Sequence, residues 1–258
     1  MNKLRQLLKE FALLVSVMSR IPVRVPWDMD DVALGRSLRF LPLLGLLMSA
    51  LSAVTAYYIS FLGEPLAAAC VLGMMLVFTG GLNLTALMNV SEGFYKGRSR
   101  KESLEIIKEG KSGNHGMVVC CAMLIFKYAA YWTLLNDLYI FEFAAVFIAS
   151  VVFSRFAVLF AVKVFPSART FGMGAAFHNN FSRGGLLFGA VVAAAVFIYY
   201  NLLNDARIWA CGLLALFFVF CIGNLWKNRL GGLTNSCYGA IAEWAELFFL
   251  LGYFIVSQ

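Results

Sequence analysis

Long apolar runs separated by short polar segments recur along the whole chain. Seven of these runs approach the ~20 residues that a helix needs to cross a bilayer. They cover residues 40–62, 65–84, 117–135, 138–162, 185–203, 208–226 and 238–256. Because the runs are spread evenly from end to end, the pattern predicts a single all-α, polytopic membrane domain over residues 1–258, with about seven transmembrane helices.

Residues 1–24 have a different pattern, in which basic and apolar positions are mixed. The apolar stretch within them is too short to span a bilayer, and no small-residue cleavage site follows it. We therefore expect an amphipathic helix that lies in the membrane interface. Pro22 and Pro26 would end this helix, and residues 27–31 would form a polar connector.

The composition agrees with a membrane protein. The 258 residues are 61% hydrophobic and 14% charged, whereas a soluble domain has roughly 25% charged residues. The net charge is +7, but there is no basic module interleaved with aromatic residues, so we expect no nucleic-acid partner. Membrane lipid headgroups and phosphorylated substrates are the expected anionic partners instead.

Lysine and arginine are concentrated on one side of the predicted helical bundle. The segment through residue 39 and the loops at 91–116, 163–184 and 227–237 hold 18 of the 21. By the positive-inside rule these segments face the cytoplasm, which places the C-terminus outside. We therefore expect an integral protein of the cell (inner) membrane with its active site facing the cytoplasm.

Five ionisable residues lie within the apolar runs or at their ends. They are Lys127, Glu142, Arg155, Glu243 and Glu246. A charge near the bilayer centre costs at least ~2.5 kcal/mol, so each should face a partner or a water-filled cavity. Arg155, Glu243 and Glu246 fall toward the side of the basic loops, which predicts a cavity roofed by those loops. Snorkelling or a structural ion pair is the alternative for each residue.

Within residues 79–116 the chain changes from apolar to polar through a Gly-Gly step and then becomes strongly basic. Thr85, Asn89 and Glu92 are four and three residues apart, so on a helix they share one face. Oxygen-bearing side chains on one face are typical of a metal site. Only Glu92 brings a carboxylate to this one.

Basic side chains in the loops on the same side are candidates for phosphate binding. They are Arg98, Arg100, Lys111, Arg169 and Arg183. Arginine binds phosphate oxygens through a forked pair of donors, and lysine acts as a point charge. A solvated loop residue that follows the positive-inside rule is the alternative for each. His115, next to the start of a span, is the candidate histidine.

At these residues the chain resembles the cobalamin synthase family, whose members are adenosylcobinamide-GDP ribazoletransferases. The family's first motif, T-G-G-[FL]-H-L-D-G-L-A-D-x-x-D-G, aligns from Thr79 onward, followed by its basic and H-G segments. The matching residues are Thr79, Gly80, Gly81, Leu82, Leu84, Leu87, Gly93, Arg98, Ser99, Arg100, Leu104, Glu105, Ile106, Gly113, His115 and Gly116. Four further blocks follow the family's order, at residues 36–45, 154–155, 168–177 and 230–240.

The chain departs from the family pattern at its acidic positions. The family's histidine is Asn83 here, and its three first-motif aspartates are Thr85, Asn89 and Glu92. The later D-S-R segment is residues 109–111, and the C-terminal aspartate is Ser236. Thr85 and Asn89 offer only neutral oxygens, whereas Mg²⁺ prefers anionic ones.

The resemblance implies an enzyme of the last steps of cobalamin biosynthesis. It would transfer the adenosylcobinamide phosphate moiety from adenosylcobinamide-GDP to α-ribazole or its 5′-phosphate and release GMP, with Mg²⁺ as cofactor. The implied catalytic residues are Glu92 and His115. The implied metal ligands are Glu92, Asn89, Thr85 and Glu109. The implied substrate-binding residues are Arg36, Arg98, Arg100, Lys111, Arg155, Arg169, Glu243 and Glu246.

Two other functions stay open at this point. A non-catalytic paralogue would keep the fold and bind a corrinoid or nucleotide, or support a partner protein, and the altered acidic motif favours it. A small transporter would explain the charges within the spans, but no paired broken-helix repeat supports it. A homo-oligomer and a complex with other membrane proteins of the cobalamin pathway are both compatible with the sequence.

Overall fold

A computed structural model describes residues 3–23, 30–110, 113–203 and 206–257. These residues form α-helices and short 3-10 turns, with no strand among them beyond one isolated bridge. The helices are α1 (Lys3–Met18), α2 (Asp31–Ser37), α3 (Leu41–Ile59), α4 (Glu64–Thr79), α5 (Leu82–Lys96), α6 (Arg100–Glu109), α7 (Asn114–Asp137), α8 (Ile140–Val164), α9 (Met173–Asn180), α10 (Arg183–Leu203), α11 (Arg207–Leu230) and α12 (Asn235–Val256). The predicted all-α class is confirmed.

Six helical segments of the described chain are long and apolar enough to cross a membrane, and a bent pair supplies a seventh. The six segments are Asp31–Leu62, Asn114–Asp137, Ile140–Val164, Arg183–Leu202, Arg207–Leu230 and Asn235–Val256. The bent pair is α4 and α5, whose axes differ in direction by 85°. The prediction of about seven spans is confirmed, but the second predicted span is wrong at its end, because α4 stops at Thr79.

Two consecutive glycines cause the bend between α4 and α5. Gly80 has φ 59° and Gly81 has φ 66°, both in the left-handed region. Residues with a Cβ rarely adopt that conformation, so the Gly-Gly step ends one helix and starts the next in a new direction. The N-terminal segment packs against this break, where the Arg20 N–H donates to the Phe78 carbonyl at 2.9 Å.

The core of the bundle lies around α8 and α12. These two are the most enclosed of the spanning helices in the described residues, while α7, α10 and α11 expose most of their apolar surface. Phe143 and Phe147 of α8 are fully buried, and so is Phe249 of α12. Helices covered on all sides form the interior of a membrane bundle, whereas exposed apolar faces are suited to lipid.

The N-terminal helix α1 is amphipathic, as the sequence predicts. Leu14 and Val15 are buried against the bundle, whereas Leu4 and Leu8 are exposed. Glu10 of α1 forms an ion pair with Arg39, and this contact ties α1 to the start of the first span.

Two loops meet at the end of the bundle where α8 ends and α12 begins. Ser167 and Leu233 form an isolated parallel bridge, in which the Leu233 N–H donates to the Pro166 carbonyl at 2.8 Å. The Ala168 N–H donates back to the Leu233 carbonyl at 2.9 Å. This pairing fixes the starts of α9 and α12 beside each other.

Candidate functional site

A cavity of about 260 Å³ opens among the first turns of α3, α5 and α12 and the C-terminal half of α8. The last residues of α1 and the first residue of α9 complete its wall. Its polar lining residues are Asn83, Thr85, Asn89, Arg155, Asn235, Ser236 and Tyr238. Below, "the cavity" means this space.

Helix α5 supplies three of these side chains: Thr85 and Asn89 are one turn apart on the same face, and Asn83 lies in the first turn. Asn89 is buried and Thr85 is exposed. Helix α12 approaches α5 closely at Gly239, where a Cβ would lie 2.6 Å from the Cβ of Ala86. The absence of a side chain at Gly239 therefore brings the starts of α5 and α12 together around the cavity.

Arg155 of α8 is the one charged residue in the described lining of the cavity. It is 6% exposed, and it makes no hydrogen bond or ion pair with the rest of the described chain. Gly45 of α3 leaves room for its aliphatic part, since a Cβ there would lie 2.7 Å from the Arg155 Cγ. A buried guanidinium without a partner is costly, so this one is placed to meet something in the cavity.

Tyr238 of α12 is a second buried polar group at the cavity. It is 3% exposed, and its hydroxyl oxygen has no hydrogen-bond partner among the described residues. Buried hydroxyls nearly always find a partner within the protein or in bound water. Arg155 thus offers donors to the cavity that the described protein atoms leave unused, whereas the Tyr238 hydroxyl oxygen is enclosed by protein atoms.

Behind the cavity lies a closed group of ionisable side chains, here called the ion cluster. Lys127 of α7 is 2.7 Å from a carboxylate oxygen of Glu243 and 3.0 Å from one of Glu246. The Tyr131 hydroxyl donates to the other oxygen of Glu246. Arg155 lines a small space of about 20 Å³ beside these four residues. The carboxylates that the resemblance assigns to substrate binding are therefore engaged within the protein, outside the cavity lining.

Glu92 is also engaged within the protein. It is 1% exposed, with one carboxylate oxygen 2.5 Å from the Lys96 ammonium. The other oxygen accepts a hydrogen bond from the Gly116 N–H at 2.8 Å. Both donors favour the ionised carboxylate. Glu92 thus joins α5 to the start of α7, away from the cavity lining.

The residues present do not fit a protein-held Mg²⁺ ion. No group of three or more His, Cys, Asp or Glu side chains is arranged to hold a metal in the described chain. At the cavity Thr85, Asn89 and Ser236 offer neutral oxygens, and the charged group there is the cation of Arg155. Mg²⁺ prefers one or two carboxylates together with substrate phosphates and water.

The predicted basic residues divide between a second cavity and the exposed surface. Arg169 lines a side cavity of about 110 Å³ that shares Asn235 and Ser236 with the first, and its guanidinium donates to the Leu104 carbonyl. Arg98 and Arg100 are exposed at the start of α6.

Three more predicted residues also lie outside the cavity lining. Arg36 is exposed on α2, and Glu109 is exposed at the end of α6. His115 stacks on the ring of Tyr95, with the ring centroids 4.1 Å apart. Lys111 lies outside the described residues. The assigned roles of all these residues stay predictions.

Sequence reasoning assigned no role to Asn83, Asn235, Ser236 or Tyr238, which the structure places at the cavity. Asn83 and Ser236 stand where the resembling family has a histidine and an aspartate, so a signal for them was present. Tyr238 follows the Gly-Gly turn at the start of α12, and nothing in its local sequence indicates that its hydroxyl is buried without a partner.

A bundle of apolar helices with a polar cavity at one end is typical of a polytopic membrane protein. The family model for cobalamin-5-phosphate synthase matches residues 10–254. The chain therefore belongs to the cobalamin-5-phosphate synthase family.

Curated relatives share nearly their whole length with this chain. An adenosylcobinamide-GDP ribazoletransferase of Desulfitobacterium hafniense is 30% identical across 96% of the chain and 97% of the relative. Those of Pseudomonas entomophila and Fusobacterium nucleatum are 30% and 27% identical, across 94% and 96% of the chain and 97% and 98% of the relative. No solved structure matches the chain.

Proposed function

We propose that this chain is an adenosylcobinamide-GDP ribazoletransferase. The observation that carries the proposal is that all five sequence blocks shared with the family contribute to the cavity. They do so through Leu44, Asn89, Arg155, Met173 and Ser236, among others. Blocks separated by more than a hundred residues meet at one small-molecule site, which is typical of a shared active site. Relatives that match over almost their full length carry the same name.

In the proposed reaction, a hydroxyl of α-ribazole, or of its 5′-phosphate, attacks the phosphorus linked to cobinamide. A new phosphorus–oxygen bond forms, the bond to GMP breaks, and the hydroxyl proton passes to solvent. Arg155 would neutralise charge on the pyrophosphate, and Arg169 in the side cavity would bind the departing nucleotide phosphate. Neutral donors such as Asn83 would orient the substrates.

The orientation in the membrane is also part of this proposal. The cavity lies at the end of the bundle that carries the basic loops, including the 91–116 loop. The positive-inside rule then places it on the cytoplasmic side of the cell membrane, where soluble nucleotide-linked substrates are available. Reporter fusions within residues 99–110 and at the C-terminus should report opposite sides, and the same side for both would contradict this orientation.

Turnover by the purified full-length chain tests the activity. Protein in detergent would be incubated with adenosylcobinamide-GDP and α-ribazole, in parallel with Mg²⁺ and with EDTA, and released GMP would be measured by mass spectrometry. We expect GMP release in wild type and a drop of at least tenfold in Arg155→Gln, since charge-assisted contacts contribute roughly 1.5–3 kcal/mol. Arg207→Gln, an exposed arginine at the start of α11, is the matched control. The Mg²⁺ requirement itself stays a prediction.

A second candidate is the non-catalytic paralogue, which the neutral side chains of Thr85, Asn89 and Ser236 favour. It predicts that wild type binds adenosylcobinamide-GDP but releases no GMP under either condition. Restoring carboxylates with Thr85→Asp and Asn89→Asp would then be the only route to turnover. Robust GMP release by wild type would exclude this candidate.

A further inference from the structure

We propose that the cavity holds an anion site that binds a phosphoryl group directly, without a divalent cation. The site is formed by Arg155 and the N-termini of α5 and α12. Assigning the bound anion to the substrate's pyrophosphate rests on the proposed function, whereas anion binding itself can be tested alone.

Arg155 supplies the charge. Its guanidinium is buried, lines the cavity and has no ion pair within the described chain. Glu243 and Glu246 lie behind it in the small space beside the ion cluster, and Lys127 takes up part of their charge. The formal charges of Lys127, Arg155, Glu243 and Glu246 sum to zero, so Arg155 balances the charge of the cluster at longer range. Its forked donors remain available for an anion in front of it.

The helix termini supply further donors. The N-cap of α5 is Gly81, which has no side-chain cap, and Leu82 and Asn83 of its first turn line the cavity. The first turn of α12 reaches the same space through Asn235 and Ser236, although its Cys237 N–H already donates to the hydroxyl of Thr234, the N-cap. The first N–H groups of a helix lack helical partners and carry a partial positive charge of about half a unit, which favours an anion.

The Tyr238 hydroxyl takes no part in this site. Its oxygen has no hydrogen-bond partner among the described residues, but protein atoms enclose it and leave it almost no surface toward the cavity. The observation that points to a ligand is therefore Arg155, a buried side chain that lines the cavity and makes no ion pair within the described chain.

The substituted motif positions agree with an anion in direct contact with the protein. Asn83 and Ser236 can each donate a hydrogen bond, whereas a carboxylate at the same place would repel a phosphate. A cavity with one cation, several neutral donors and no acid in its described lining has the electrostatics of an anion site. The charge that a divalent ion would supply comes here from Arg155.

The test is binding of inorganic pyrophosphate to the full-length chain in a phosphate-free maltoside detergent with EDTA, measured by calorimetry. We expect saturable binding that added Mg²⁺ strengthens less than threefold. Arg155→Gln should weaken binding at least tenfold, and Arg155→Lys, which keeps the charge but loses the forked donors, by roughly three- to tenfold. Arg207→Gln, whose exposed side chain lies at the far end of α11 from the cavity, should leave it unchanged.

Two further arms keep the result clear. Asn89→Asp adds a carboxylate to the lining and should weaken pyrophosphate binding in EDTA. If Arg155→Gln does not fold, Arg155→Lys and Asn89→Asp, checked by thermal unfolding, carry the test alone. Added phosphatidylglycerol distinguishes the source of the phosphate group, because a lipid site would show displacement of pyrophosphate and a substrate site would not.

Binding that appears only with Mg²⁺, or that is equal in wild type, Arg155→Lys and Asn89→Asp, would overturn the anion site. Displacement by phosphatidylglycerol would overturn its assignment to substrate. Turnover without pyrophosphate binding in EDTA would reject this inference and keep the proposed activity. Pyrophosphate binding without turnover would keep the anion site and reject the proposed activity.

Discussion

The ion cluster and the cavity both bury ionisable side chains inside the same helical bundle, yet they are built in opposite ways. In the cluster, Lys127 contacts Glu243 and Glu246 at 2.7 and 3.0 Å, so its charges meet one another. In the cavity, Arg155 and the Tyr238 hydroxyl meet no partner in the described chain. A buried charge whose partners belong to the protein stabilises one arrangement of helices, whereas one without a partner is held ready for a ligand.

The two regions are also connected. Arg155 lines both the cavity and the small space beside the cluster, so it lies at the boundary between them. The cluster would hold the helices that carry Arg155 and Tyr238 in place. Breaking each region in turn therefore separates the groups that hold the fold from the groups that bind.

The largest effect is expected from Lys127→Met. It leaves the carboxylates of Glu243 and Glu246 buried without a cation, and breaking a buried ion pair in this way costs roughly 3–5 kcal/mol. We expect a strong loss of thermal stability in detergent, measured by unfolding in wild type and variant. The double variant Lys127→Met, Glu243→Gln is the matched control. It should recover most of the loss, because the charges that remain, those of Glu246 and Arg155, balance each other.

An unchanged melting temperature in Lys127→Met would contradict the comparison. The cluster would then be weakly coupled to folding, and its carboxylates would return to the substrate-binding role that the resemblance implies.

A smaller effect is expected from Glu92→Gln. The Lys96 side chain that pairs with Glu92 is 55% exposed, so solvent screens the ion pair and its contribution is at most about 1 kcal/mol. Glutamine can still accept a hydrogen bond from the Gly116 N–H, so only the extra strength that the negative charge gives this bond is lost, roughly 1 kcal/mol more. We expect a modest loss of stability, with the Mg²⁺ dependence of any turnover unchanged. Lys96→Met, which removes only the ion pair, is the control.

If Glu92→Gln instead folds normally and abolishes Mg²⁺-dependent turnover, Glu92 acts as the metal ligand that the resemblance implies. Helix α5 and the start of α7 would then have to rearrange to bring the Glu92 carboxylate to the cavity.

The fold could be predicted from the sequence because the apolar runs and the Gly-Gly step determine helices and a helix break through neighbouring residues alone. It also placed Thr85, Asn89 and Glu92 on one face of a helix, and all three lie in α5. The periodicity does not show, however, which of them are close enough along the helix to line the same cavity. Glu92 lies seven residues beyond Thr85, roughly 10 Å further along the helix, where the start of α7 packs against it.

The partners of buried charges depend on packing between distant segments. Lys127 and Glu243 are 116 residues apart in sequence, and no local pattern indicates that they touch. The same holds for the Tyr238 hydroxyl, whose lack of a partner depends on how α12 packs against its neighbours. Chain order and spacing predicted which residues are unusual in a membrane, but only the packed bundle shows which of them are paired.

The smallest change in stability is expected from Arg155→Gln in the ligand-free protein, and it sharpens the comparison most. Arg155 makes no direct contact with an acid, so its removal breaks no ion pair in the described chain. The variant loses the longer-range attraction between Arg155 and the carboxylates of the cluster. It also avoids the cost of burying a guanidinium without a direct partner, and the two effects offset each other. We expect the ligand-free stability to change by less than about 1 kcal/mol. Pyrophosphate should raise the melting temperature of wild type but leave that of Arg155→Gln unchanged, because a ligand stabilises only a protein that binds it. A loss of ligand-free stability comparable to that of Lys127→Met would show that Arg155 is a structural member of the cluster, and the distinction between the two regions would fail.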